Sequence, residues 1–142
     1  MSGKNIRAFL DANTIVSGLL FTGNEATLLE LGRIKAIELI TNKYVYEEVS
    51  NVLARPEFNL TPREIKGLQS YLYLCLDIYE NPSKDEIDQN LSLLNDKKDT
   101  LVALGSQQAN ADYLVTGDKE LLEKIKNAIT TRLLLEEILP KS

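Results

Sequence analysis

The chain opens on Ile6-Arg7-Ala8-Phe9-Leu10-Asp11, a short apolar run that ends abruptly in a carboxylate, with Asn13, Thr14 and Ser17 just behind it. A run of this length reads as a buried strand of a parallel sheet. Open α/β sheets bind their ligands at the carboxyl ends of such strands, which is where Asp11 stands. An acid in this position either binds something or organises a turn. No helical pattern is read directly behind it, and binding and capping a turn stand about even.

The rest of the chain alternates in kind. Residues 26–34 read as a helix and 36–41 as a second strand. Asn42 caps a helix carrying Tyr46, Val49, Val52 and Leu53, which stops near Arg55-Pro56. Thr61-Pro62-Arg63-Glu64 is a strong helix start, with Ile65, Leu68, Leu72, Cys75, Leu76 and Tyr79 on one stripe. Its last residues, 76–79, read equally as a strand. Tyr71, Leu74 and Ile78 form a second stripe, and a segment apolar on two sides is deeply buried or faces another subunit. A homodimer through residues 65–79 is therefore an expectation.

Pro82-Ser83-Lys84-Asp85 opens a helix through Ile87, Leu91 and Leu94, and a turn at 95–98 leads to Asp99 at the start of another helix with Leu101, Val102, Leu104 and Ala109. A strand at 112–116, a helix at 119–125, a weak strand at 128–131 and a helix at 133–139 complete the chain. This alternation predicts an α/β fold with about five parallel strands covered on both faces, a three-layer αβα sandwich. With no repeat or linker, residues 1–142 read as a single domain.

Composition removes whole classes of chemistry. There is no histidine, so histidine-based triads, general bases and zinc sites are excluded, and Cys75 is the one cysteine. Catalysis is left to carboxylates, hydroxyls, Lys or Arg, with or without a hard metal ion. No apolar stretch reaches membrane-spanning length and Met1-Ser2-Gly3-Lys4 carries no signal region, so the expectation is a cytoplasmic protein. The net charge of −5 argues against indiscriminate binding of nucleic acid, unless a cation neutralises a local acidic cluster.

Beside Asp11, three further acids stand out. Asp118 follows the 112–116 strand and so lies at the same carboxyl edge, where it equally suits the N-cap of the next helix. Asp99 also suits an N-cap. Glu48 borders the apolar stripe of Val45, Val49, Val52 and Leu53 at about 100° per residue, while Glu47 points nearly opposite. A bordering acid can simply reach water.

Taken together, Phe9-Leu10-Asp11-Ala12-Asn13-Thr14, Glu48-Val49-Ser50-Asn51-Val52-Leu53, Asp96-Lys97-Lys98-Asp99 and Ala111-Asp112-Tyr113-Leu114-Val115-Thr116-Gly117-Asp118 resemble, in order and spacing, the acidic motifs of the PIN-domain nucleases. The resemblance covers essentially the whole chain. It implies a metal-dependent ribonuclease of PIN-like fold whose four acids are Asp11, Glu48, Asp99 and Asp118, and it points to the single-domain, VapC-like toxins of toxin–antitoxin pairs, with an antitoxin as partner. Four carboxylates at one sheet edge repel unless they protonate or bind a cation. Oxygen ligands alone select Mg²⁺ or Mn²⁺. In this reading Asp11, Asp99, Asp118 and Glu48 hold the metal, with Glu48 also placed to hold or deprotonate the attacking water. Asn13 and Thr116 orient ligands. Arg55, Lys97, Lys98, Lys119 and Arg33 are candidates for RNA backbone contacts, and Asp96 is read as a turn residue.

Two other readings compete. Asp11-Ala12-Asn13-Thr14 resembles the opening of HAD-type phosphomonoesterases, although Asn13 stands where their second acid belongs. A non-catalytic interaction module keeping the fold is the other, and widely spaced carboxylates beside an exposed apolar patch would favour it.

Overall fold

In the computed structural model, which describes residues 5–90 and 94–140, the apolar run at the start of the chain becomes the central strand β1 (Arg7–Leu10). It is followed by α1 (Ala12–Leu20), α2 (Asn24–Arg33), β2 (Glu38–Asn42) and α3 (Lys43–Leu53). Next come a 3₁₀ turn at Pro56–Phe58, α4 (Pro62–Cys75), β3 (Leu76–Tyr79) and α5 (Lys84–Gln89). The chain closes with α6 (Lys97–Gln108), β4 (Tyr113–Val115), α7 (Lys119–Lys124), β5 (Ala128–Ile129) and α8 (Thr131–Ile138).

All strand pairs are parallel, in the order β3-β2-β1-β4-β5, and β1 aligns Phe9 with Ile40 on one side and Leu114 on the other. Phe9, Leu10, Ile40 and Leu114 have no exposed surface, and burying each such side chain stabilises the fold by about 1.5–3 kcal/mol. Helices cover both faces, which gives the expected α/β sandwich. The chain winds outward from β1 through β2 to β3, then crosses back to β4. The direction of winding thus reverses between β1 and β4, and the crevice at such a switch point is where this architecture binds ligands.

Local chemistry sets most boundaries. Thr61 and Glu64 form a reciprocal capping box at the start of α4, as do Ser83 and Glu86 at the start of α5. Asn42 accepts from the Val45 N–H at 3.0 Å and starts α3. The ambiguity at the end of α4 resolves at Cys75, beyond which β2 recruits Leu76–Tyr79 by register pairing. The helix opened by Ser83 is shorter than its apolar spacing predicts: it ends at Gln89, Leu91 lies outside the described residues, and Leu94 is buried beyond the helix. The weak strand shrinks to Ala128–Ile129, and the last helix begins earlier, at Thr131, because Thr130 caps it.

The helix α6 lies close to the sheet at Gly105. A Cβ there would stand 2.4 Å from Asn42 Nδ2 and 3.0 Å from the Phe9 ring. This close approach holds the N-terminal turn of α6 over the carboxyl ends of β1 and β2.

Candidate active site

Contrary to the expectation from the sequence, a helix does begin directly behind Asp11, and Asp11 caps it. Its Oδ1 accepts from the Thr14 N–H at 3.0 Å. The polar Asn13-Thr14 pair directly behind the acid masked a helical stripe of Ala12, Ile15, Val16, Leu19 and Leu20, of which Ala12, Ile15 and Val16 are buried. Capping leaves Asp11 available for more. Its Oδ2 accepts from the Thr116 hydroxyl at 2.6 Å, and the same hydroxyl oxygen accepts from the Asp118 N–H at 3.0 Å. Thr116 is fully buried, so one hydroxyl ties the end of β1 to the end of β4 and fixes the orientation of the Asp11 carboxylate.

Asp118 caps α7 through Oδ1, which accepts from the Leu121 N–H at 3.0 Å, and its second oxygen has no protein partner among the described residues. Asp99 is not a cap. That role falls to Asp96, whose Oδ1 accepts from the Lys98 N–H at 2.8 Å, so α6 begins three residues earlier than expected. Asp99 sits one turn in, half-buried, with no hydrogen bond among the described residues. Its carboxyl is pushed up to about 6 by burial first and then by the charges of Asp118, Asp96, Glu120 and Asp11. Glu48 comes from α3, with Lys98 Nζ 3.9 Å from its Oε2, while Glu47 faces solvent as the helical phase requires.

Asp11, Glu48, Asp99 and Asp118 line one cavity of about 160 Å³, together with Asn13, Asp96 and Lys98. Asp96, read from the sequence as a turn residue, therefore both caps α6 and adds a carboxylate to the cavity. Sequence reasoning missed Tyr44, whose phenol is raised by burial and then by Glu48, Asp96 and Asp99. The signal was available: Tyr44 precedes Glu48 by one helical turn on the same face of α3. Arg55, Lys97 and Lys119 are exposed and lie outside the lining of this cavity. Arg33 ends α2 at the opposite, amino edge of the sheet, held to Glu30.

The donor set suits a hard divalent cation: oxygen ligands only, net negative, with one carboxyl already raised by burial and then by its neighbours. The carboxylates are not drawn into a tight ligand cluster, since among the described residues no three of them stand close enough to hold an ion in their present positions.

A parallel sheet covered by helices, with an acidic cavity at its switch point, defines an α/β protein built to act at the carboxyl edge of β1 and β4. The PIN domain matches this chain over residues 7–120. The chain belongs to the PIN domain family, whose members are generally nucleases. Two solved structures share the fold. PAE2754 from Pyrobaculum aerophilum is 21% identical at a TM-score of 0.68, over 94% of this chain and 95% of that one. VapBC2 from Rickettsia felis, seen bound to a DNA fragment from its promoter, is 19% identical at a TM-score of 0.65, over 88% of this chain and 97% of that one. No match was found among curated proteins. The family assignment leaves the HAD-type reading without support.

Proposed function

We propose that this chain, as a single PIN-like domain, is a metal-dependent endoribonuclease that hydrolyses phosphodiester bonds of RNA. The observation that carries the reading is the lining of one cavity at the switch point by Asp11, Glu48, Asp99 and Asp118. The chemistry supplied by a bound Mg²⁺ or Mn²⁺ is activation of a water and stabilisation of charge on the phosphodiester. Asp11, Asp99 and Asp118 would hold that ion, and Glu48 would hold it or take the proton of the attacking water. Thr116 keeps Asp11 Oδ2 oriented, and Asn13 stands at the mouth of the cavity. Lys98, beside Glu48, is placed to contact an RNA phosphate once substrate arrives. A metal-activated water requires no protein nucleophile, which suits a chain without histidine.

The likeness in fold to VapBC2 supports reading the chain as the toxin of a toxin–antitoxin pair, with an antitoxin protein as partner. No helix among the described residues is long and apolar enough to cross a membrane, and we read the protein as cytoplasmic. Tyr73 and Leu74, both about 60% exposed on α4, are the residues through which we infer that it forms a homodimer.

The test is incubation of the purified protein with structured and unstructured RNA, with Mg²⁺ or Mn²⁺ and then with chelator. Cleavage is expected only with metal, and Asp11→Asn is expected to abolish it while the circular dichroism spectrum stays native. Cleavage surviving both chelator and Asp11→Asn would sink the mechanism. The spacing of the carboxylates and the exposed Tyr73–Leu74 patch favour one second reading, a non-catalytic interaction module. Failure to cleave any RNA with either metal would select it.

A further inference from the structure

The acidic cavity has a neighbour of different chemistry. A second cavity, of about 330 Å³, opens at the same sheet edge and shares Asn13 with the first. Thr116, bonded to Asp11, also lines it. Its walls carry hydroxyls, amides, Glu25 and Arg132, with no aliphatic or aromatic side chain, so a stacked base would gain little there.

Two of the hydroxyls are unspent. Thr14 and Thr131 are only 6% and 5% exposed, and neither hydroxyl has a hydrogen-bond partner among the described residues. Both residues line the cavity and neither hydroxyl is sealed from solvent, so water satisfies them in the free protein and both are open to bond an occupant. Thr131 also begins α8, so the positive end of that helix stands at the same wall. Arg132 is the next residue. Its guanidinium holds Glu136 at 2.8 Å, but both groups are more than half exposed, and such a pair yields readily to a phosphate. Glu25 repels a phosphate but accepts from a sugar hydroxyl. The lining therefore offers both a cation, Arg132, and a hydroxyl acceptor, Glu25.

We propose that this cavity is a ribose–phosphate subsite for the nucleotide next to the one that is cut, with Arg132 on its phosphate and Glu25 and Thr131 on its ribose 2′-OH. The 2′-OH is what separates RNA from DNA at any one site, so this subsite makes the enzyme choose RNA. The inference rests on the ribonuclease reading but is tested apart from it.

The experiment uses the full-length Asp11→Asn protein with Mn²⁺, and fluorescently labelled single-stranded RNA and DNA of one sequence, read by anisotropy. Arg132→Gln, at an exposed position, is expected to weaken RNA binding about tenfold and to lower the salt slope by about one. Thr131→Val keeps the side-chain volume, and is expected to bring RNA affinity down toward that of DNA while DNA binding holds. Unchanged RNA binding in both variants, or an equal loss for RNA and DNA in Thr131→Val, overturns the subsite. Wild-type cleavage assayed in parallel separates the two claims. Metal-dependent cleavage with unchanged binding in both variants removes the subsite alone. No cleavage, with RNA binding lost in Arg132→Gln, removes the ribonuclease reading and with it the subsite as defined, leaving an RNA-binding cavity of a non-catalytic module.

Discussion

At the scale of single residues, Asp99 carries the largest electrostatic tension in the site. Its carboxyl titrates near 6 in the folded chain against an ordinary 3.8, so the folded state holds its proton more tightly than the unfolded one. The sign follows directly. The contribution is fully present below the unfolded value and is lost as pH rises through the folded one. Metal-free protein should therefore lose stability between pH 4 and 6, the interval set by those two values. Asp99→Asn removes the penalty. It should stabilise the apo protein at neutral pH by about 1–2 kcal/mol, less than the full shift implies because the group is partly solvated, and leave stability at pH 4 nearly unchanged. Urea melts at the two pH values measure this, and a destabilised variant at neutral pH would contradict it. Asp11 is tuned differently: both of its oxygens accept hydrogen bonds, from Thr14 and Thr116, so its position is set before any cation arrives.

At the scale of elements, the site depends on how closely α6 lies on the sheet. Asn42 cannot swing aside to admit a Cβ at Gly105, because its Oδ1 is committed to capping α3 and its Nδ2 is already buried without a partner. Gly105→Ala should cost about 1–3 kcal/mol, with loss of cleavage as the first turn of α6 shifts Asp99. Thermal unfolding together with the RNA assay would detect both. On the far side, α4 buries Leu72 and Cys75 while leaving Tyr73 and Leu74 about 60% exposed, with Tyr73 braced by the Tyr46 ring at 5.4 Å. Light scattering at micromolar concentration should report a dimer that Leu74→Glu dissociates. A monomeric wild type would remove this interface. The edge strand β3 is a poorer candidate for pairing, because Asp77 places a charge on its exposed border.

At the scale of the whole molecule, the cavity accumulates like charge that, in the proposed function, a bound cation would relieve. Mn²⁺ or Mg²⁺ should raise the melting temperature by mass action on the folded state, more at pH 7 than at pH 5, since Asp99 must lose its proton to bind. Asp11→Asn should blunt that rise, and a shift of equal size at both pH values would argue that the ion binds elsewhere. Much of this was legible in the sequence. The apolar runs around Phe9, Ile40 and Leu114, the cap at Asn42 and the box at Thr61 follow from local physics, because strand burial and helix capping leave marks within a few residues. The order and spacing of the acidic motifs carried the family. Three things were not settled there. The helix behind Asp11 went unread although Ala12, Ile15, Val16, Leu19 and Leu20 repeat at helical spacing, the cap of α6 could be Asp96 or Asp99 on local grounds, and the α4–β3 boundary is drawn by a neighbouring strand. Of these, the last was decided by a contact distant in sequence, the pairing of β3 with β2. By itself, then, the sequence determined an α/β sandwich, its acids and the absence of histidine chemistry, since these depend on residue identity and short-range periodicity. Only the tertiary structure decided that Thr116 clamps Asp11, that Asp96 frees Asp99 from capping, and that a polar cavity built on Arg132 adjoins the acids, because packing across the β1–β4 switch point brings together residues more than a hundred positions apart.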